Sequence, residues 1–222
     1  MALDESAREH VSLGAFAYAS LREAIRTGRL RPGSRVREKV IADWLEISRT
    51  PVREALRRLE ADGLLAFEPH RGMVIAELDE PATLELYRMR EVLEGAAAAF
   101  AARTASEAEI ARLHGFLDTE ATLLDDAPAL AELNREFHET IYRAAHNRYL
   151  LKSLNALRDS MTLLGPTTLA QPGRSAIAHG EHRAVVDAIG RGNAEAADTA
   201  ARAHIRHAYR ARHRQNFSAD QT

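Results

Sequence analysis

Cysteine is absent from the 222 residues of the chain, so disulfide bonds and thiolate metal sites are excluded. Aromatic residues make up only 5% of the sequence, while hydrophobic residues make up 45%, and the abundant alanine favours helices. No apolar run approaches the roughly 18 residues of a membrane-spanning helix, and the N-terminus MALDESAREH has no signal-peptide core. These absences predict a soluble, cytoplasmic protein without a membrane partner.

The net charge of −2 is small, but the charges are unevenly distributed along the chain. Residues 17–75 contain 12 Lys and Arg against 8 Asp and Glu, a balance of +4, which leaves −6 for the remainder. A basic third attached to an acidic remainder indicates two domains with different partners. We expect a DNA-binding domain at 11–78, a linker at 79–84 that serves as a hinge, and a second domain at 85–212.

The basic third has the element order of a winged helix-turn-helix. Three short helices are predicted by apolar spacing, and the strands LLAF and MVIAEL follow, joined by the tight turn EPHRG. The third helix contains Pro51, which is tolerated in a first turn because no backbone donor is needed there. Ser48 and Thr50 are both candidate caps, and Pro51 as first helical residue favours Thr50.

Strand patterns disappear after Pro81, and apolar residues recur at spacings of three and four. Breaks that contain Ser, Asn, Pro or Gly divide this region into six predicted helices. The predicted fold class is therefore mostly α, with an N-terminal winged helix-turn-helix followed by an all-α bundle of about six helices.

The stretch ISRTPVREALRRLEADGLL, residues 47–65, concentrates four arginines on an amphipathic helix. The second helix of a helix-turn-helix lies in the major groove with its N-terminal residues against base edges. Ser48, Arg49, Thr50 and Arg53 occupy that end, and arginine binds guanine or phosphate. The alternative is a solvated helix face with ion pairs, which the surrounding order of elements disfavours.

Residues 17–75 resemble the DNA-binding domain of GntR-family bacterial transcription regulators. The resemblance is carried by LREAIRTGRLRPGSRV, SRTPVREALRRLEADGLL and HRGMVIA. It implies DNA contacts from Arg49 and Arg53, assisted by Ser48, Thr50 and Lys39. In the wing, it implies contacts from Arg71 and Gly72.

Three histidines of the second region are predicted to face the interior of the bundle. They are His138 in NREFHETIY, His182 in HGEHRAVVDAI and His204 in AARAHIRHAY. Asn134 lies one turn before His138 on the same helix face. A single inward histidine is usually an ordinary core residue, but three imidazoles and an amide suit a divalent ion such as zinc or nickel.

The same region resembles the FCD-type effector domain of the FadR subfamily, in which an Asp or Asn precedes a His by four residues and two later histidines complete a metal site. The matching positions are Asn134, His138, His182 and His204, and LYRMREVLEGAAAAFAA resembles the domain's first helix. His179 and His207 lie three residues from two of these positions, close enough for a supporting role.

A metal with open positions accepts a carboxylate, and an arginine can pair with it through two hydrogen bonds. The resemblance places Arg90 in the cavity and implies a small organic acid as effector. Arg135 and Arg158 are further candidates, and the alternative for both is an ion pair on the helix surface.

The sequence thus predicts a homodimeric, effector-responsive transcription regulator, with repression favoured over activation. One alternative is a metal-dependent enzyme fused to a DNA-binding module. It is disfavoured because Glu139 and Glu181 adjoin ligand histidines in sequence and are expected to point off their face. A second alternative is a structural dimerisation module whose histidines bind no metal.

Overall fold

A computed structural model describes the backbone of residues 12–219 and the side chains of residues 12–215. The chain divides into two compact units. We call residues 12–79 together with 158–166 the winged-helix unit, and residues 80–157 together with 167–219 the helical unit. The first residue of the predicted domain 11–78 lies outside the described residues.

The winged-helix unit contains three helices followed by a two-stranded antiparallel sheet. Within the described residues the elements are α1 (Leu13–Arg26), α2 (Glu38–Leu45), α3 (Arg49–Ala61), β1 (Leu65–Glu68) and β2 (Gly72–Ile75). The strands pair from Leu65 opposite Ile75 to Glu68 opposite Gly72. This is the predicted winged helix-turn-helix.

The core of this unit is formed by the inward faces of the three helices and the sheet. Leu21, Val52, Leu59 and Leu64 are almost fully buried, and their burial stabilises the unit by roughly 1.5–3 kcal/mol for each large side chain. Leu163, from the distant segment 158–166, is buried in the same cluster. The sequence pattern did not predict that contribution.

The helical unit is built around six α-helices in the described residues. They are α4 (Glu80–Thr104), α5 (Glu107–Thr122), α6 (Ala127–Ala144), α7 (Arg148–Met161), α8 (Arg174–Gly190) and α9 (Ala194–Ala219). The last residues of α7 belong to the winged-helix unit. The segment predicted as a linker at 79–84 is helical from Glu80 onward, so the irregular connection is residues 76–79.

Local sequence signals explain where these helices begin. Ser106 and Glu109 form a reciprocal capping box at the start of α5, which satisfies two backbone donors that the helix itself leaves free. The Asp126 side chain accepts from the backbone of Ala129 at the start of α6, and Asn147 does the same for Leu150 in α7. Polar residues that break the apolar pattern therefore mark the starts of α5, α6 and α7.

Helices α4, α5, α6, α8 and α9 pack on one another around one large apolar cluster. This cluster includes Leu113, Phe137, Val186 and Ile189, all of which are buried. Searched over its described residues, the chain has no helix long and apolar enough to span a bilayer. The cluster surrounds a small group of polar side chains, which includes the predicted histidines.

Candidate functional sites: a recognition helix and a buried histidine cluster

The first turn of α3 presents two exposed arginines beside a carboxylate from α2. The side chains of Arg49 and Arg53 are 62% and 50% exposed, whereas that of Glu38 is 28% exposed. The opposite face of α3 is buried, with Val52 and Leu59 in the core. The helix is therefore fixed by its apolar face, and the arginines at its N-terminal end face outward, as the sequence predicts.

Glu38 binds both arginines at once. Its Oε2 atom accepts from Arg49 Nη2 at 3.1 Å and from Arg53 Nη2 at 2.8 Å, and its Oε1 atom accepts from Arg53 Nε at 2.9 Å. The Arg53 hydrogen bonds are the main reason that the pKa of Glu38 falls to about 2. Glu38 is therefore ionised at neutral pH and sets the orientation of both guanidinium groups.

The start of α3 differs in detail from the sequence prediction. The helix begins at Arg49, so Ser48 is the capping residue, but its side chain makes no capping hydrogen bond. Pro51 is consequently the third residue of the helix, where a backbone donor is still not required. Ser48 and Thr50 are exposed, and their hydroxyl groups therefore remain accessible to DNA.

The other predicted DNA-contacting residues are also on the surface. Lys39 is paired with Asp43, one turn later on α2, at 3.0 Å, and its side chain is 80% exposed. Arg71 in the wing turn donates to Glu68 at 2.8 Å and to the carbonyl oxygen of Gly33 at 2.6 Å. Gly72 follows it with a φ of +80°, a left-handed conformation that favours glycine.

The three predicted histidines of the helical unit meet in its interior. His138 comes from α6, His182 from α8 and His204 from α9. The ring centroids lie 5.6 Å apart for His138 and His182, 5.2 Å for His138 and His204, and 4.6 Å for His182 and His204. One nitrogen from each ring lies within 4.8 Å of the other two. The prediction that these histidines cluster is therefore confirmed.

Each histidine of this cluster is held by its own carboxylate. Glu94 lies 2.8 Å from His138 Nδ1, Glu120 lies 2.7 Å from His182 Nδ1, and Glu181 lies 2.8 Å from His204 Nδ1. A carboxylate on one ring nitrogen is the arrangement that orients metal-binding imidazoles. It leaves Nε2 of each ring as the nitrogen that could bind a metal ion.

The surroundings of the Nε2 atoms support the interpretation of the cluster as a metal site. Nε2 of His138 and Nε2 of His182 are buried and have no hydrogen-bond partner, although a buried polar atom is normally paired. Both residues and His204 line a small cavity of about 10 Å³, the size that holds one water molecule or ion. The donor set therefore fits a divalent metal ion.

Burial sets the charge of the cluster. Desolvation lowers the pKa of His182 and, more strongly, that of His204, so both imidazoles are neutral at neutral pH and have a lone pair for a metal. Burial alone would raise the pKa of both Glu94 and Glu120. The neighbouring Arg90 and His138 instead lower the pKa of Glu94, and His182 lowers that of Glu120. Glu94 and Glu120 are therefore ionised.

Sequence reasoning did not identify the three carboxylates. It expected Glu181 to point away from the histidines, but Glu181 reaches His204 on the next helix rather than its neighbour His182. A signal was present for Glu120, which continues the inward spacing of Leu113 and Leu117 on α5. Such a position usually indicates a core residue, and a glutamate there requires a buried partner.

The neighbouring histidines share these carboxylates. His179 Nδ1 lies 3.0 Å from the second oxygen of Glu120, and His207 Nδ1 lies 2.8 Å from the second oxygen of Glu181. Asn134 lies one turn before His138 on α6 and is partly exposed. It is not among the residues that line the cavity, and its role as a ligand stays a prediction.

The three arginines predicted to bind an effector lie in different surroundings. Arg90 is buried beside the cluster, donates to Glu94 at 2.8 Å and lies over the ring of Tyr87. Arg135 is 40% exposed and pairs with glutamates on its own helix. Arg158 belongs to the winged-helix unit. Effector binding by these residues stays a prediction. Of the three, Arg90 is the one observed to contact a carboxylate that holds a cluster histidine.

Comparison with known proteins agrees with both parts of the chain. Residues 13–75 match the family model described as bacterial regulatory proteins, gntR family, and residues 85–207 match the FCD domain. The HTH-type transcriptional regulator YdhC of Bacillus subtilis is 31% identical over 193 residues, which is 86% of each chain. A probable D-xylose utilization operon transcriptional repressor of Paenarthrobacter nicotinovorans is 37% identical, over 82% of this chain and 80% of its own.

The fold is also that of a solved regulator. The structure of Escherichia coli McbR/YncC has a TM-score of 0.78 and 23% identity, covering 93% of this chain and 99% of its own. These similarities are with transcription regulators and confirm the prediction that the chain is not an enzyme. The chain belongs to the GntR family of bacterial transcription regulators and combines that family's DNA-binding domain with an FCD effector-binding domain.

Proposed function

We propose that this chain is a homodimeric transcriptional repressor that releases its operator when a small carboxylate binds a metal ion in the helical unit. The observation that carries the proposal is the set of three buried imidazoles, each with Nδ1 held by a separate glutamate. That arrangement makes Nε2 of each ring the nitrogen available to a metal ion. Similarity to the probable D-xylose utilization operon repressor supports repression rather than activation.

DNA would be read by the N-terminal end of α3. Arg49 and Arg53 are aligned by one carboxylate, that of Glu38, which suits them to a bidentate contact with guanine or a grip on phosphate. The remaining proposed contacts come from the start of the helix, from α2 and from the wing: Ser48, Thr50, Lys39, Arg71 and Gly72. Their exposure or surface position agrees with such a role.

Dimerisation is supported by an apolar strip on α4. Met89 and Val92 are 48% and 47% exposed, and a spacing of three places them on the same side of the helix. Two winged units in a symmetric dimer would contact two halves of a palindromic site. The expected operator is therefore a short inverted repeat.

The metal would be held by His138, His182 and His204, with Asn134 as a proposed fourth ligand. Neutral imidazoles favour zinc or nickel, and a metal bound in this way supplies open coordination positions for a carboxylate. The three glutamates would orient the imidazole rings toward this metal. Arg90 holds Glu94 and lies nearest to the cluster among the proposed effector-binding arginines, which also include Arg135 and Arg158.

Elemental analysis of untagged protein, purified without a chelator, tests the metal site. We expect about one zinc or nickel ion per chain in the unaltered protein, a large loss in His138→Ala, and no change in His114→Ala, an exposed histidine on α5. Equal metal content in all three proteins would refute the ligand assignment. Fluorescence anisotropy with the chain's own promoter DNA then tests regulation, and a lack of preference over random DNA would refute operator binding.

A further inference from the structure

Two buried arginines of the helical unit have N–H groups without an acceptor. Arg174, the first residue of α8, is 5% exposed, and Arg212 on α9 is 6% exposed. Arg174 donates from Nη2 to Glu181 at 2.9 Å, but its Nε and Nη1 atoms have no partner. Arg212 donates from Nη1 to the neutral Gln215 at 3.2 Å, and its Nε atom has no partner.

The two arginines have more N–H donors than nearby acceptors. Glu181 is shared among Arg174, His204 and His207. Among the described residues, Arg212 has no acidic partner. A buried cation without a counter-ion is strongly unfavourable, and a guanidinium group has five donors that match a carboxylate in a planar, bidentate geometry. The acceptor that fits these unpaired donors is therefore an anion.

The two arginines lie at the same level of an antiparallel helix pair. His182 on α8 lies beside His204 on α9, with ring centroids 4.6 Å apart. Gln171, just before α8, donates to the carbonyl oxygen of Ala211 at 2.9 Å. Because the two helices are antiparallel, residue numbers decrease along α8 in the direction in which they increase along α9. Arg174 is therefore opposite the turn of α9 that contains Arg212.

This level is connected to the histidine cluster. Arg212 is eight residues beyond His204 on α9, which corresponds to about 12 Å along a helix axis. The side chain of Arg174 extends back toward the cluster, because its Nη2 atom and His204 Nδ1 bind the same oxygen of Glu181. Neither arginine lines the small cavity at the histidines, so a ligand that reaches from the histidines to the arginines must extend beyond that cavity.

We propose that Arg174 and Arg212 form an anion subsite for the second carboxylate of a small dicarboxylate, whose first carboxylate binds the metal. This inference rests on the proposed function, since it assigns the class of its effector. It makes Arg174 and Arg212 the residues that distinguish dicarboxylates from monocarboxylates. A monocarboxylate would reach the metal and leave Nε and Nη1 of Arg174 and Nε of Arg212 without an acceptor.

Calorimetric titration of the full-length, zinc-loaded protein tests the subsite. The probes are acetate and the dicarboxylates malonate, succinate and glutarate. We expect at least one dicarboxylate to bind more tightly than acetate. Arg174→Gln and Arg212→Gln should each weaken that dicarboxylate by roughly tenfold or more, the usual effect of losing hydrogen bonds to a charged group. In Arg212→Gln, acetate affinity and zinc content should not change, because the side chain donates to Gln215 rather than to a glutamate that holds a cluster histidine.

The matched control is Arg210→Gln, an exposed arginine on the same helix as Arg212, which should bind all probes as the unaltered protein does. Arg174→Lys and Arg212→Lys keep the buried charge but lose the planar guanidinium group, so they are less disruptive to folding than the glutamine variants. They should still lower the affinity for the dicarboxylate by about threefold or more. Circular dichroism and thermal unfolding establish that each variant is folded.

Two results would overturn the subsite. One is a dicarboxylate affinity that stays within about twofold in folded variants of both arginines, and the other is no dicarboxylate binding above the level of acetate. Failure of the proposed function looks different, because the protein would then contain no metal or acetate would not bind. Dicarboxylate binding that depends on the arginines in metal-free protein would support the subsite even in that case.

Discussion

Glu38 and Arg53 form a two-point ion pair across the helix-turn-helix, with Arg53 Nε 2.9 Å from Oε1 and Arg53 Nη2 2.8 Å from Oε2. The same carboxylate also accepts from Arg49. One acidic residue on α2 therefore orients the two residues on α3 that are proposed to contact bases. We therefore expect the negative charge of Glu38 to orient the two exposed arginines beside it.

Glu38→Gln should reduce operator preference without abolishing binding. The amide keeps the size of the side chain but cannot bind two guanidinium groups as an anion, while loss of a negative charge favours phosphate contacts. We expect the ratio of promoter to random-DNA affinity to fall by about tenfold. Fluorescence anisotropy measures both affinities. Asp43→Asn, on the same helix, is the control, and an unchanged ratio in Glu38→Gln would contradict the orienting role.

Arg53→Ala should weaken operator binding by about 1–3 kcal/mol, the usual contribution of a good base contact. Arg57→Ala removes an exposed arginine one turn later on α3 and should change affinity much less. Affinity should also fall with salt, with a logarithmic slope near −0.9 for each phosphate contact. Similar losses for the two variants would indicate that α3 contributes general charge rather than specific contacts.

Glu120→Gln should weaken metal binding by about 10–100-fold, because a carboxylate on Nδ1 orients the His182 ring and increases its basicity. Competition with a coloured chelator measures the affinity. Glu107→Gln is the control, since Glu107 is exposed at the start of the same helix. If the metal affinity of Glu120→Gln equals that of the control, the carboxylate has only a structural role.

Leu163→Ala should destabilise the winged-helix unit, although residue 163 is about 100 positions distant from most of that unit in sequence. Leu163 is 5% exposed within its core, and truncation of a buried leucine typically costs about 2–5 kcal/mol. Denaturant unfolding followed by the fluorescence of Trp44, the single tryptophan of the chain, measures this free energy. Leu13→Ala, at a residue 55% exposed, should have a small effect.

Tyr18 should ionise at unusually high pH. Burial, followed by a 2.6 Å hydrogen bond to Asp62, raises the pKa of Tyr18 to about 12. Because folding raises this pKa, the protonated hydroxyl group of Tyr18 stabilises the folded state. This contribution is complete below the ordinary pKa of 10.0 and is lost as the pH rises through about 12. Ultraviolet titration of the unaltered protein against Tyr18→Phe isolates this group. In Asp62→Asn its pKa should fall, though burial keeps it above the ordinary value.

Sequence alone determined the order of elements, the boundaries of most helices and the candidate histidines. Ser106 with Glu109, Asp126 and Asn147 mark helix starts through hydrogen bonds that form within a few residues, so local pattern is sufficient to find them. The inward positions of His138, His182 and His204 follow from helical periodicity. The exposure of the arginines at the start of α3 could also be predicted, because they lie opposite the apolar face of an amphipathic helix.

Only the tertiary structure decided which residues from different helices meet. Glu38 reaches Arg49 and Arg53, Glu120 reaches His182, and Leu163 enters the core of the winged-helix unit. These contacts join residues that are 11 to 62 positions apart, or more for Leu163. Periodicity gives the direction of a side chain relative to its own helix, but its partner depends on how the helices pack.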